Sequence, residues 1–213
     1  MPPEYIIRGK RVLTPEGVKE AAVWVKKETI EKITPISSIP SGAHAIDVGN
    51  KVVMPGLVDT HVHINEPGRA EWEGFETATQ AAAAGGITTI VDMPLNSTPV
   101  TTTLAAFKTK LEAARGKLWV DCGFWGGVVP GNAKELAPMA EAGIMGFKAF
   151  LIHSGIDDFP ASKEEDLRQA MKILAGLGLP LLAHAELESA VLPEHPHPAL
   201  SPQGRGQYGN FLA

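Results

Sequence analysis

One cysteine, Cys122, occurs among 213 residues, so no internal disulfide can form. Nor can a zinc site be assembled from thiolates, and any metal must be held by histidine and oxygen ligands. A reducing, cytoplasmic setting is expected. Long apolar runs are missing as well: Gly, Pro or charge interrupts each one before the roughly 18 residues that a membrane span needs. The Tyr5-Ile6-Ile7 cluster near the N-terminus is too short for the apolar centre of a secretory signal, so no targeting segment is expected. Charge of one sign is also lacking, since 24 acidic and 19 basic residues are interspersed for a formal net charge of −5. This balance predicts no nucleic-acid and no membrane partner, and it favours a small ligand.

What remains is 44% hydrophobic, enough to bury a sizeable core and to exclude disorder or a collagen-like chain. Residues 4–54 carry short β-prone runs at 5–7, 21–26 and 52–54, separated by Thr14-Pro15-Glu16-Gly17 and Pro40-Ser41-Gly42 turn signals. They predict a small antiparallel β-unit with a domain boundary near residue 54. From Pro55-Gly56 onward, apolar runs at 57–62, 87–92, 118–124, 144–151 and 180–184 alternate with helix-period segments at 73–84, 104–115, 134–142 and 164–177. This alternation is the pattern of βα units and a parallel sheet. Five strands fit a doubly wound sheet, whereas a TIM barrel needs eight, so as a barrel residues 55–213 are expected to be truncated. The stretch 193–209, rich in proline and glycine, has no periodicity and is expected to be a flexible loop.

Three local patterns carry chemistry. In Asp59-Thr60-His61-Val62-His63, residues two apart on a strand share a face, so His61 and His63 can present both imidazoles to one metal ion. Asp59 has the same parity and suits a supporting role toward a ligand histidine. In Gly146-Phe147-Lys148-Ala149-Phe150-Leu151 a lysine sits in an apolar strand. It either snorkels at the strand end or is buried with a depressed pKa that frees the amine for chemistry or modification. In Leu181-Leu182-Ala183-His184-Ala185-Glu186 a histidine again ends a strand. All four residues fall at the C-terminal ends of predicted parallel strands, the edge on which α/β sheets and barrels build their sites. His44, His195 and His197 read as surface residues, and His153 as a site neighbour rather than a ligand. Trp24, Trp72, Trp119 and Trp125 read as core or loop anchors.

The segment from Met54 to His63, Met-Pro-Gly-Leu-Val-Asp-Thr-His-Val-His, resembles the signature of the cyclic amidohydrolases, the group containing allantoinase, dihydroorotase and hydantoinase (dihydropyrimidinase). Glu66-Pro67-Gly68-Arg69, Glu71-Trp72-Glu73-Gly74-Phe75, Asp92-Met93-Pro94-Leu95-Asn96-Ser97, the run from Gly123 to Asn132 and the run from His153 to Pro160 resemble the allantoinase branch most. The resemblance extends over about residues 5–192. It implies a TIM-type (β/α)8 barrel, present here as its N-terminal part, with a small β-sandwich domain contributed by residues 1–54. It also implies two divalent metal ions, zinc first and cobalt, manganese or iron as options. His61 and His63 would bind one ion and His184 the other. Lys148, carboxylated by carbon dioxide to N6-carboxylysine, would bridge both, which turns a buried cation into an anionic oxygen ligand.

The activity implied is metal-assisted hydrolysis of a cyclic amide to a carboxylate and a ureido group, with allantoin as substrate and allantoate as product. A further histidine ligand and a catalytic aspartate used by the family have no counterpart among these residues, so this chain alone is expected to be inactive. Dihydroorotase characteristically has an arginine where this sequence has Asn65, which disfavours an anionic ring. Asn65 and Asn96 could instead hydrogen-bond a neutral hydantoin, or be turn residues. The resemblance further implies a homotetramer. Hydantoinase, or an amidohydrolase-fold assembly protein without activity, are the competing readings.

Overall fold

The structure is a computed structural model that describes residues 5–186. The chain divides between Leu57 and Val58 into two units. The stretch 193–209, with His195 and His197, lies outside the described residues.

The first unit is a five-stranded sheet built from β1 (Tyr5–Thr14), β2 (Gly17–Lys26), β3 (Thr29–Thr34), β4 (Ala45–Asp47) and β5 (Val52–Val53). β1 and β2 form a hairpin over Pro15-Glu16, closed by a Thr14 Oγ1 bond to the Gly17 carbonyl at 2.9 Å. Gly17 takes φ 114°, a conformation open to glycine and costly for other residues. β3 adds to β2 antiparallel, while β4 and β5 both run parallel to β1. The sheet is therefore mixed rather than antiparallel, because the chain after a 3-10 turn at Ile36–Ser38 returns to β1 from the same end. Ile6, Ala22 and Trp24 pack together in one buried cluster and Val12, Ala21 and Val23 in another. Ile30, Ile33, Val52 and Met54 remain exposed.

The second unit alternates strands and helices: β6 (Leu57–Val62), α1 (Phe75–Ala84), β7 (Ile87–Asp92), α2 (Leu104–Ala114), β8 (Asp121–Phe124), β9 (Gly126–Gly127), α3 (Ala133–Glu141), β10 (Phe147–Phe150), α4 (Glu164–Leu177) and β11 (Leu181–His184). The strands form two ladders, β6-β7-β8 and β9-β10-β11. β7 pairs parallel with β8, and β10 parallel with both β9 and β11. Only Trp125 separates β8 from β9, so the predicted strand at 118–124 in fact begins at Asp121 and continues past this break to Gly127. Leu118 and Trp119 are exposed and stay out of the ladder. Gly126 and Gly127, just beyond the predicted strand, are strand residues, and neighbours take the space a side chain would need. A Cβ on Gly126 would lie 2.5 Å from the Phe147 ring, and one on Gly127 2.4 Å from Phe159.

Helix starts follow local chemistry. α1 begins at Phe75 rather than at residue 73, because the Glu66 carboxylate accepts the Phe75 N–H at 3.0 Å and fixes the first turn there. Thr103 Oγ1 accepts the Ala106 N–H at 3.1 Å and caps α2. α4 opens with Glu164, Glu165 and Asp166 at its positive end and stops at Gly178, φ 68°.

Alternation along the strands sorts side chains to two faces. Ile90, Phe124 and Phe147 face the helices and pack with Phe75, Phe107, Leu136, Met139 and Leu174. Val91, Trp125 and Phe150 belong to a second cluster, covered by Leu95 and Val100 from the segment after β7 and by Phe159 from the segment after β10. Lys148 shares the strand parity of Phe150, on that second face.

Candidate metal centre

β6 carries His61 near its C-terminal end, and His63 follows one residue beyond the strand. Their ring centroids stand 5.3 Å apart with planes tilted by 48°, and both rings are exposed. Metal–nitrogen bonds of about 2.0–2.1 Å at tetrahedral angles put two imidazole centroids about 5 Å apart, so the pair fits one ion. Asp59 Oδ1 accepts the backbone N–H of His61 at 3.1 Å, so its support goes to the main chain. The His63 pKa is lowered, first by loss of hydration and then by the positive charges of His61, Lys148 and Lys110. A lowered pKa keeps the ring neutral and its nitrogen free to bind a cation.

Lys148, in the middle of β10, is 6% exposed. Its Nζ lies 5.2 Å from the Phe150 ring centroid, and among the described residues it has no hydrogen bond or ion pair. Burial lowers its pKa. A cation–π contact is worth about 0.5–2 kcal/mol. Burying an unpaired charge costs far more, so burial shifts the lysine in the direction of the neutral amine. Such an amine can react with carbon dioxide, and a carbamate would bring the negative oxygens that two neighbouring imidazoles and a divalent cation lack here.

His184 ends β11, in register with Phe150 of β10. It stacks on that ring at 4.8 Å between centroids, and its Nε2 lies 2.8 Å from Glu186 Oε1. The structure thus brings His61 beside His63 within reach of the Lys148 charge, with His184 on the strand next to Lys148. Among the described residues no three His, Cys, Asp or Glu side chains converge on one point, so a closed metal cage is not formed by these groups alone.

Asn65 is buried, its Oδ1 has no partner among the described residues, and its backbone is tied to Glu73 and Arg69, each at 2.9 Å. An unpaired buried carbonyl is poised to accept a donor. Asn96 takes φ 77° in a half-buried turn, a left-handed conformation that asparagine tolerates. His153 pairs with Asp157 in an exposed loop. Trp24 and Trp125 are buried as anchors, but Trp72 and Trp119 are 68% and 63% exposed. The Arg69 guanidinium lies 5.3 Å from the Trp72 ring, and the exposure of Trp72 and Trp119 corrects the reading of all four as anchors.

Sequence reasoning assigned no role to Asp92 and Lys110. They form an ion pair whose side chains are 0% and 1% exposed, and the Asp92 carboxylate also accepts the Ile64 N–H at 2.7 Å. Burial pushes the Asp92 pKa up to about 6, against the pull of Lys110. The available signal was an aspartate at the end of an apolar strand with a lysine in the apolar pattern of the next helix. Cys122 is half-buried, and burial followed by the Asp92 charge pushes its thiol up to about 12.

Residues 52–195 match the model of the amidohydrolase family, and the chain belongs to that family. It is 50% identical to the allantoinase of Streptomyces avermitilis over 212 residues, 99% of this chain and 46% of that protein. It is 51% identical to the mitochondrial allantoinase of Aquarana catesbeiana, over 87% of this chain and 38% of that one. Among solved structures, L-hydantoinase (dihydropyrimidinase) from Arthrobacter aurescens matches with a TM-score of 0.79 and 37% identity, over 86% of this chain and 41% of that chain. The chain thus spans less than half the length of these relatives, and its mixed α/β fold resembles that of the hydantoinase over the shared part.

Proposed function

We propose that these residues supply part of the active site of a metal-dependent cyclic amidohydrolase that opens the hydantoin ring of allantoin to allantoate. The observation that carries this reading is Lys148, buried without a counter-charge beside the His61–His63 pair. Sequence identity near 50% to allantoinases supports the choice of ring. In this reading the second unit is the first five strands of an eight-stranded TIM barrel. The first unit is part of a small β-sandwich, a reading supported by its exposed Ile30, Ile33, Val52 and Met54, which a second layer would cover. The complete enzyme is a cytoplasmic homotetramer.

His61 and His63 would hold one divalent cation, His184 a second, and Lys148 as N6-carboxylysine would bridge them. Zinc suits this nitrogen and oxygen set best. When bound, such ions polarise a carbonyl and make water a nucleophile at neutral pH. The chain's own residues do the rest. His63 stays unprotonated because neighbouring charge and lost hydration oppose a proton on its ring. Asn65 offers its unpartnered Oδ1 to a ring N–H, and Asn96 a second polar contact. Water adds to the ring carbonyl as the amide C–N bond breaks, and the freed nitrogen takes the proton, leaving a carboxylate and a ureido arm.

Likeness to L-hydantoinase favours a second reading in which a hydantoin without the ureido arm is the preferred ring. Assay of the full-length, metal-loaded protein with allantoin, a hydantoin that carries an alkyl or aryl group in place of the ureido arm, and dihydroorotate decides between them. Preference for allantoin supports the proposal, and preference for the hydantoin supports the second reading. Absence of turnover with all three points to an assembly protein and overturns both.

A further inference from the structure

The segment that carries His61 and His63 is gripped from both sides by side chains that are not ligands. Trp125 Nε1 donates to the Thr60 carbonyl at 2.9 Å, immediately before His61. Asp92 Oδ1 accepts the Ile64 N–H at 2.7 Å, immediately after His63. Between these, the Met93 N–H donates to the Val62 carbonyl at 2.7 Å. The two gripping residues are joined to each other, because the Trp125 N–H donates to the Asp92 carbonyl at 2.9 Å. Lys110 of α2 holds the other oxygen of the Asp92 carboxylate, out of water.

Strand pairing accounts for the two backbone bonds but not for the bonds made by the Trp125 indole and the Asp92 carboxylate. β6 ends at Val62, so His63 has left the ladder where it would need a fixed direction. The Asp92 carboxylate supplies the missing acceptor at that point. Trp125 occupies the single-residue break between β8 and β9, and its indole is wedged so closely over Gly146 that a Cβ there would lie 2.3 Å from the ring.

We propose that Trp125 and Asp92 are positioning residues that set the separation of the His61 and His63 rings before any metal arrives. Lys110 serves as the anchor for Asp92. This rests on His61 and His63 being ligands. A metal site gains affinity when its ligands are already oriented, and loss of such outer partners typically weakens metal binding about 10–100-fold.

The test uses the full-length protein with Co2+ as the probe, its affinity measured by visible absorption and chelator competition. Trp125→Phe keeps an aromatic ring at the break and removes the N–H donor together with part of the indole's volume. Asp92→Leu with Lys110→Met removes the acceptor and both charges, whereas Asp92→Asn with Lys110→Met removes the charges but keeps an acceptor for Ile64. Trp125→Phe and the Leu/Met pair are expected to weaken Co2+ binding about 10–100-fold at unchanged circular dichroism, and the Asn/Met pair to restore it. In the metal-free proteins the Ile64 amide proton should move upfield in the Leu/Met pair and hold its place in the Asn/Met pair.

Parental affinity in Trp125→Phe and the Leu/Met pair overturns the proposal. So does an Asn/Met pair as weak as the Leu/Met pair, since the charge and not the hydrogen bond would then matter. Undiminished Co2+ binding in His61→Ala/His63→Ala overturns the ligand reading instead, and the Ile64 shift still reports whether the backbone grip exists.

Discussion

His184 lies flat against Phe150, with 4.8 Å between ring centroids and 12° between planes. Phe150 also lies 5.2 Å from the Lys148 ammonium, so one phenyl ring lies beside both side chains. That ring orients them without competing as a ligand. It gives the lysine a weak cation–π contact but no hydrogen bond or counter-charge among the described residues, a local conflict of the kind folds retain for function.

Lys148→Met should therefore stabilise the metal-free protein, by about 1–3 kcal/mol, because an unpaired polar group leaves an apolar site. Urea unfolding measures this. The same variant should lose bound metal on elemental analysis, and Lys148→Glu should regain part of it by supplying a carboxylate. Normal metal content in Lys148→Met would remove the lysine from the site.

Lys110→Met alone strands the Asp92 carboxylate in the core and should cost about 3–5 kcal/mol in urea unfolding. Adding Asp92→Asn should recover most of that loss. The pair also has a pH signature, because Asp92 is raised from 3.8 to about 6 in the folded state. Its contribution to stability is complete below about pH 4 and fades as pH rises to about 6, where the native carboxyl gives up its proton.

For His63 the sign is opposite. Its folded pKa lies below 6.5, so the unfolded chain binds more protons in that window and stability rises with pH up to about 6.5. Imidazole NMR of the metal-free protein should show His63 titrating below the ordinary histidine range. Lys148→Met should move that titration upward by removing one repelling charge, and an unmoved titration would separate the two residues.

Asn65→Arg places a cation where Oδ1 is buried and unpartnered. Allantoin turnover should fall at least tenfold, the scale of one lost hydrogen bond to substrate, with metal content unchanged. Unchanged kinetics would take Asn65 out of the pocket.

Strand and helix order was legible because apolar runs at period 2 and 3.6 alternate from residue 57 onward. β3 was missed, since Glu31 and Lys32 interrupt its apolar pattern and all but its last residue are exposed. β9 was missed because two glycines add no apolar side chain to the run that ends at residue 124, and only Phe147 and Phe159 across from them reveal the need for space. In the site, His61, His63, Lys148 and His184 stood out as unusual residues on strands. Asp92, Lys110 and Trp125 did not, because each acts through a backbone group or a partner far away in sequence. Glu66 illustrates the same limit, serving Phe75 of α1 and Lys117 beyond α2 at once.

The state of Cys122 has a practical side. A thiol pushed up to about 12 is almost wholly protonated at neutral pH, and only the thiolate attacks alkylating or disulfide reagents. Since the sequence holds no other cysteine, the chain offers a chemically silent background. A single cysteine introduced at an exposed position such as Trp72 would take a fluorophore or spin label alone, and would report on the segment after β6 without removal of the native thiol.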